Sequence, residues 1–226
     1  MQFTPEDHAR IARAIADAEA RTSGEIYCIV TNEAHRYTGF ALAVAAFTAF
    51  ALPFALAALG FGPAAWLALV QGGGWLADAD LSDWLLIEIF ACVQLGLFLL
   101  VAALLLLTPL SQRLAPRSVR RERVHDVALH QFLAKGLHAT AHRTGVLIFL
   151  STRDRVAEVV ADQAIYARVP ADHWGDTLAA LLAGAKRGDA TAGFIAAIAL
   201  AGAVLAEHFP PGAENPNELE DRLVEI

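Results

Sequence analysis

The chain has 226 residues, a net charge of −7 at pH 7 and a pI near 5.6. This acidic balance excludes the broad basic footprint of a general nucleic-acid-binding protein. A hydrophobic fraction of 56% and a mean hydropathy of +0.45 are high for a soluble protein, so membrane segments are expected. The two cysteines, Cys28 and Cys92, fall in a predicted strand and a predicted membrane helix, which argues against a disulfide framework.

The first predicted element is a helix that begins after Thr4, a residue suited to capping, with Pro5 at its first position. The sequence before it has neither the basic nor the apolar region of a signal peptide, so the first apolar helix is expected to direct membrane insertion. Gly24 is expected to end the first helix in a left-handed conformation. Residues Glu25–Thr31 are rich in β-branched and aromatic side chains, which predicts a strand buried on both faces.

Two long windows without charged side chains predict a pair of membrane spans. One lies between Arg36 and Asp78 and the other between Glu88 and Arg113. Each holds the roughly 20 apolar residues that a helix needs to cross a bilayer. The predicted spans run from about Ala41 to Leu59 and from about Leu85 to Leu107. The short apolar piece Ala64–Val70 is interpreted as interfacial, with a third span as the alternative.

Charge asymmetry predicts the orientation of these spans. The loop Gln71–Asp83 carries three acids and neither Lys nor Arg, whereas arginines lie beside the other span ends: Arg36, Arg113, Arg117, Arg120, Arg121 and Arg123. The positive-inside rule then places both flanking parts in the cytoplasm. The expected organisation is residues 1–39 and 110–210 as two parts of one cytoplasmic domain, 40–109 as a transmembrane hairpin, and 211–226 as a C-terminal tail.

The second half of the chain alternates predicted helices and strands: a helix Ser118–His142, strands Gly145–Ser151 and Arg155–Ala161, and helices Pro170–Lys186 and Ala190–His208. The short turn between the two strands predicts an antiparallel hairpin. The last helix is apolar nearly all round, which favours a buried core helix and leaves a third membrane span as the alternative. The predicted fold class is α/β, a small mixed sheet sandwiched by helices and interrupted by a two-helix transmembrane hairpin.

Three pieces of this sequence resemble the TPM domain family. They are the junction Thr22-Ser-Gly-Glu-Ile26 with its partner strand Arg143-Thr-Gly-Val-Leu-Ile-Phe-Leu150, the hairpin from Arg153 to Ala161, and Arg187-Gly-Asp-Ala190 before the last helix. The resemblance covers Phe3–Val30 and about Val119–Phe209. It implies a bacterial membrane branch of the family with a membrane hairpin inside the domain. It further implies either metal-assisted phosphatase activity or an accessory role in assembly, as described for different relatives.

Two groups of side chains are candidate metal ligands. Asp162, after the hairpin, and Asp172 and Asp176, near the start of the next helix, are oxygen ligands of the kind that Ca²⁺ or Mg²⁺ takes. Their other interpretation is a turn residue and two solvated helix acids, which the missing glycines of the turn Ala161–Tyr166 favour. His138 and His142 share a helical face at metal-binding spacing, but a solvated helix face explains them better.

The sequence therefore predicts an integral inner-membrane protein whose cytoplasmic domain is a non-enzymatic binding, assembly or accessory module. The alternative is a divalent-metal-assisted, phosphatase-like hydrolase that uses Asp162, Asp172 and Asp176. The expected partners are the lipid bilayer and another membrane protein, without nucleic acid. No cofactor is expected beyond the Ca²⁺ or Mg²⁺ that those aspartates would hold.

Overall fold

The computed structural model describes residues 2–32, 37–63, 65–66, 82–140, 142–211 and 217–226. The chain divides into two compact units. Met1–Ala34 and Arg117–Ile226 form the sheet unit, and His35–Pro116 form the apolar unit. The predicted segment Ala64–Val70, except for Ala65 and Trp66, and most of the loop that follows lie outside the described residues.

The described helices and strands are numbered in chain order. The helices are α1 (Pro5–Glu19), α2 (Thr38–Ala58), α3 (Asp83–Leu107), α4 (Leu110–Leu114), α5 (Arg117–Ala134), α6 (Gln163–Tyr166), α7 (Gly175–Arg187) and α8 (Ala190–His208). The strands are β1 (Glu25–Thr31), β2 (Gly145–Ser151), β3 (Val156–Ala161) and β4 (Leu223–Glu225). Short 3₁₀ turns occupy Leu137–Ala139 and Ala171–Trp174.

The sheet unit is built on a mixed sheet of strand order β3-β2-β1-β4. β1 is parallel to β2, from Glu25 opposite Gly145 to Thr31 opposite Ser151, and β4 is parallel to β1 on its other side. β2 and β3 form the predicted antiparallel hairpin. Every residue of β1 and β2 is buried, as expected for strands covered on both faces. The predicted α/β class with a small mixed sheet is confirmed.

Helices cover both faces of this sheet. On one face, α5 packs the stripe Val124, Ala128 and Phe132 against Tyr27, Ile29, Leu147, Phe149 and Val160. On the other face, α1, α7 and α8 form a larger core with the alternate strand side chains, including Ile26, Cys28, Ile148 and Leu150. The period of two along each strand sends successive side chains into the two cores. The result is a three-layer sandwich.

The last helix, α8, belongs to this larger core. Half of its most apolar stretch is buried within the structure, against 22% for α2 and 11% for α3. Phe194, Ile198 and Leu205 are fully buried in the core that α1 and α7 share. The structure therefore agrees with the interpretation as a core helix, although α8 is also long and apolar enough to cross a membrane.

The apolar unit consists of α2, α3 and α4. Small side chains recur every four residues along the buried face of α2: Ala41, Ala45, Ala49 and Pro53. Large apolar side chains point outward instead, among them Phe47, Phe50, Leu95, Leu99 and Leu107. Close packing through small residues with apolar side chains on the outside is typical of helices in lipid. Among the described residues, α2, α3 and α8 are the helices that by length and composition could cross a membrane.

Four details of the predicted elements were wrong. The helix predicted to reach His142 ends at Ala134, because Gly136 adopts a φ of 74° that terminates it. The helix predicted from Pro170 begins at Gly175, after a 3₁₀ turn. Residues Leu223–Glu225 of the predicted tail form β4, which adds a strand to the sheet.

The fourth concerns Gly24, which is not among the described glycines with a positive φ. The lack of room for a side chain explains why this position is a glycine. A Cβ there would lie 3.1 Å from the Leu205 side chain and 3.3 Å from the Thr144 carbonyl oxygen.

Candidate anion-binding groove

The carboxyl ends of β1 and β2 meet at one edge of the sheet, which we call the carboxyl edge. The two strands are parallel and finish together at Thr31 and Ser151. In open α/β sheets, ligands bind preferentially outside the carboxyl ends of the strands. In this protein polar residues follow both strands, namely Asn32 after β1 and Thr152 after β2.

Hydrogen bonds fix the turn between β2 and β3 at this edge. The buried Ser151 hydroxyl donates to Asp154 Oδ2 at 2.9 Å. The Thr152 hydroxyl lies 3.1 Å from the Thr31 carbonyl oxygen and 3.0 Å from Asn32 Oδ1, and the Thr152 backbone N–H also donates to Thr31. These contacts join the turn to the end of β1. Arg155, which ends the turn, has a φ of 54°, a left-handed conformation that is uncommon for a residue other than glycine.

A cavity of about 490 Å³ opens beside this turn. Its walls come from the carboxyl edge, from the start of α5 and from the last turns of α7, so both helical layers contribute. A second cavity of about 310 Å³ shares part of its lining. Together we call them the basic groove, because five cationic side chains line it: Arg117, Arg120, Arg121, Arg155 and Lys186.

Within the described part of the chain, the five cations of the basic groove lack carboxylate partners. None of the ion pairs between described residues involves them. Asp154 is the carboxylate among the lining residues, and it is buried and bonded to Ser151. The Nε of Arg120 is buried without a hydrogen-bond partner among the described atoms. Among the described residues, the groove therefore carries more positive than negative charge, with five cations and one carboxylate in its lining.

The predicted metal ligand Asp162 lies at the opposite edge of the sheet. It directly follows β3, and its backbone N–H donates to the Gly145 carbonyl at the start of β2. Its Oδ1 accepts a 2.6 Å hydrogen bond from the Gln163 backbone N–H and so caps α6. Its Oδ2 is buried and has no hydrogen-bond partner in the described structure.

Asp172 and Asp176 are exposed, in contrast to Asp162. Asp172 lies 3.4 Å from Nδ1 of its neighbour His173, and Asp176 is in the first turn of α7. No three His, Cys, Asp or Glu side chains of the residues that the structure describes are grouped so that they could hold a metal ion. Metal binding by the three aspartates therefore stays a prediction.

A cluster of buried acids near the start of β1 was not predicted. Glu19 Oε1 accepts the Ile26 backbone N–H at 2.6 Å, and Glu25 Oε2 accepts that of Leu219 at 3.3 Å. Burial raises the pKa of Glu19 to about 9, a rise that the hydrogen bond from Ile26 opposes and the nearby Glu25 reinforces. Burial also raises the pKa of Glu25. These side chains tie α1 and the chain before β4 to β1.

Comparisons with known proteins support the family resemblance. The family model of the TPM domain matches residues 114–204. A solved structure, the NMR structure of the BA42 protein from the psychrophilic bacterium Bizionia argentinensis, has a similar fold with a TM-score of 0.57. Its sequence is 19% identical, and the similarity covers 100% of this chain and 96% of that one. No curated protein matches the chain.

Proposed function

We propose that this chain, which carries a TPM domain at residues 114–204, is an integral membrane protein with a non-enzymatic binding or accessory module. The observation that carries the proposal is the basic groove: five cations, none with a carboxylate partner among the described residues, at the carboxyl edge, where α/β sheets bind ligands. The module acts on the cytoplasmic face of the bacterial inner membrane. Its partners are the lipid bilayer and another membrane protein.

The apolar unit supports the membrane part of this proposal. α2 and α3 are long enough to cross a bilayer, and their large apolar side chains are exposed. In water, this much exposed apolar surface would lead to aggregation. The arginines that follow α3, from Arg113 to Arg123, favour the cytoplasmic side for the adjoining sheet unit.

The chemistry of the basic groove favours binding over catalysis. Arginine and lysine side chains attract and orient an anion, but a hydrolase also needs an accessible nucleophile or a base for water. Ser151 is fully buried, and its hydroxyl proton is directed to Asp154 within the turn. This hydrogen bond stabilises the turn.

The test combines location with activity in the full-length protein. We expect the protein to stay in the membrane pellet at alkaline pH. A C-terminal tag should be cleaved by added protease in inverted vesicles and protected in intact spheroplasts. The purified protein should hydrolyse an aryl phosphate no faster than the Asp162→Asn variant. Release from the membrane, or hydrolysis abolished by that substitution, would contradict the proposal.

The alternative is a divalent-metal-assisted hydrolase at the opposite edge. The unpartnered, buried Oδ2 of Asp162 favours it, because a carboxylate oxygen without a hydrogen bond from the described residues is available to a cation. Calorimetric titration with Ca²⁺ and Mg²⁺ tests it. Micromolar binding that is lost in Asp162→Asn would support this alternative, with Asp172 and Asp176 as the next residues to substitute.

A further inference from the structure

We infer that the basic groove binds the anionic headgroup of a phospholipid from the membrane in which the protein is anchored. The inference rests on the proposed function and identifies the ligand that the sheet unit binds. The apolar helices by themselves require hydrocarbon and no particular headgroup. The groove makes the sheet unit a second, charge-selective contact with the bilayer.

The charge of the groove calls for an anion. Five cationic side chains line two neighbouring cavities that share Arg117 and Arg155, none has a carboxylate partner among the described residues, and like charges so placed repel each other. Arginine presents a planar fork of N–H donors that matches the oxygens of a phosphate group. A bound phosphodiester would carry the opposite charge and lower the repulsion between these cations.

Two local preferences of the chain are overridden at this groove. The first turn of α5 contains no acid and begins with arginines, although the positive end of a helix dipole favours acids. Arg155 adopts a left-handed backbone conformation, with a φ of 54°, that is uncommon for a residue with a Cβ. Because Arg143, outside the groove, has the same backbone conformation as Arg155, the arginines at the positive end of α5 are the departure that is particular to the groove.

The positive-inside rule, which sets membrane orientation, explains only some of the cations in the groove. The positive-inside rule applies to residues within about 15–20 positions of a span, which includes Arg117, Arg120 and Arg121. It does not apply to Arg155 and Lys186, which follow α3 by many more residues. These two residues nevertheless line the same groove. The convergence of distant cations is what indicates a binding site.

The position of the groove points to a lipid. The chain leaves the sheet unit for the apolar unit after β1 and returns at the start of α5. Both points belong to the carboxyl edge, where Thr31 pairs with Ser151 and Arg117 lines the groove. Leu150, Leu182 and Ala185 add an apolar wall that suits the glycerol and upper acyl carbons of a lipid.

The experiment titrates full-length protein in a neutral detergent with short-chain phosphatidylglycerol and counts bound lipids by native mass spectrometry. Short-chain phosphatidylcholine is the neutral control lipid. The test variant is Arg155→Gly, which removes one groove cation and relieves the left-handed backbone, so the fold should not be weakened. We expect its affinity for phosphatidylglycerol to fall at least tenfold.

The matched control is Arg143→Gly. Arg143 is exposed, has a φ of 52° and precedes β2 at the opposite edge, so its substitution removes the same charge and the same strain away from the groove. Its affinity should stay within twofold of wild type. Equal losses in both variants, or equal binding of both lipids by wild type, would overturn the inference.

A parallel titration with glycerol phosphate, which is soluble, distinguishes a lipid headgroup from a free phosphate ester. Glycerol phosphate should bind more weakly than phosphatidylglycerol, because it lacks the acyl carbons. Equal or tighter binding of glycerol phosphate would overturn the lipid assignment in favour of a soluble phosphate ester. Failure of the lipid inference can be told apart from failure of the proposed function. A protein without lipid selectivity would still be anchored in the membrane. Hydrolysis of glycerol phosphate would contradict only the non-enzymatic role.

Discussion

At the residue scale, the structure places ionisable side chains in two contrasting settings. Cations gather in an open groove at the carboxyl edge, where a ligand can reach them. Acids gather near the start of β1, where Glu19 and Glu25 are buried. The first setting suits exchange of a bound anion. The second makes the stability of the sheet unit depend on pH.

Glu19→Gln tests that pH dependence. The pKa of Glu19 is about 9 in the folded protein and close to the ordinary 4.5 when unfolded, so the folded state holds one more proton between these values. Wild-type stability should therefore fall as the pH rises from about 5 to 9. The glutamine is neutral throughout and can still accept the Ile26 N–H, so the variant should be more stable than wild type at pH 9 and similar at pH 5.

Urea denaturation at the two pH values measures the effect. Glu25 has a raised pKa as well, so part of the pH dependence should persist in the variant. Identical pH slopes for the two proteins would mean that Glu19 is ionised in the fold.

At the element scale, the sequence predicts those helices and strands that have a periodic apolar pattern or a capping residue. The capping box at Thr4 and Asp7, the buried strands β1 and β2 and the antiparallel hairpin follow from local pattern. β4 could not be predicted, because three residues carry no period and pair only through a distant strand. The groove shows the same limit: the arginines of α5 stand out in the sequence, but only the packing of α7 brings Lys186 to them.

The pair α7 and α8 provides a test of packing between elements. A Cβ on Gly184 would lie 2.6 Å from the backbone nitrogen of Gly193, and neither backbone can move without separating the helices. We expect Gly184→Ala to destabilise the sheet unit by about 1–3 kcal/mol. Gly175→Ala is the control, since no described atom lies within 4 Å of its added Cβ. Thermal unfolding would measure both, and an unchanged midpoint for Gly184→Ala would contradict this packing.

At the scale of the whole molecule, the apolar unit is inserted into a fold that is otherwise continuous. All four described strands and both cores belong to the sheet unit. The insertion begins and ends at the carboxyl edge. Sequence alone predicts this arrangement through its two uncharged windows. It does not predict that the insertion points flank a basic groove, since that depends on the parallel register of β1 and β2.

Excision of the apolar unit should therefore leave a folded domain. Replacing His35–Pro116 with a short glycine–serine linker keeps both cores intact. We expect a soluble protein with mixed helix and strand content and one cooperative unfolding transition, which circular dichroism would measure. A protein that aggregates or unfolds without cooperativity would show that the sheet unit depends on the inserted helices.

Hydrogen–deuterium exchange of the full-length protein in nanodiscs tests whether a ligand binds at the carboxyl edge of the sheet. We predict that adding phosphatidylglycerol to phosphatidylcholine nanodiscs protects the start of α5 and the turn from Thr152 to Arg155, and leaves the region of Asp162 unchanged. Protection confined to Asp162 and its neighbours, and seen only with Ca²⁺ or Mg²⁺, would contradict this prediction and place the working site at the opposite edge.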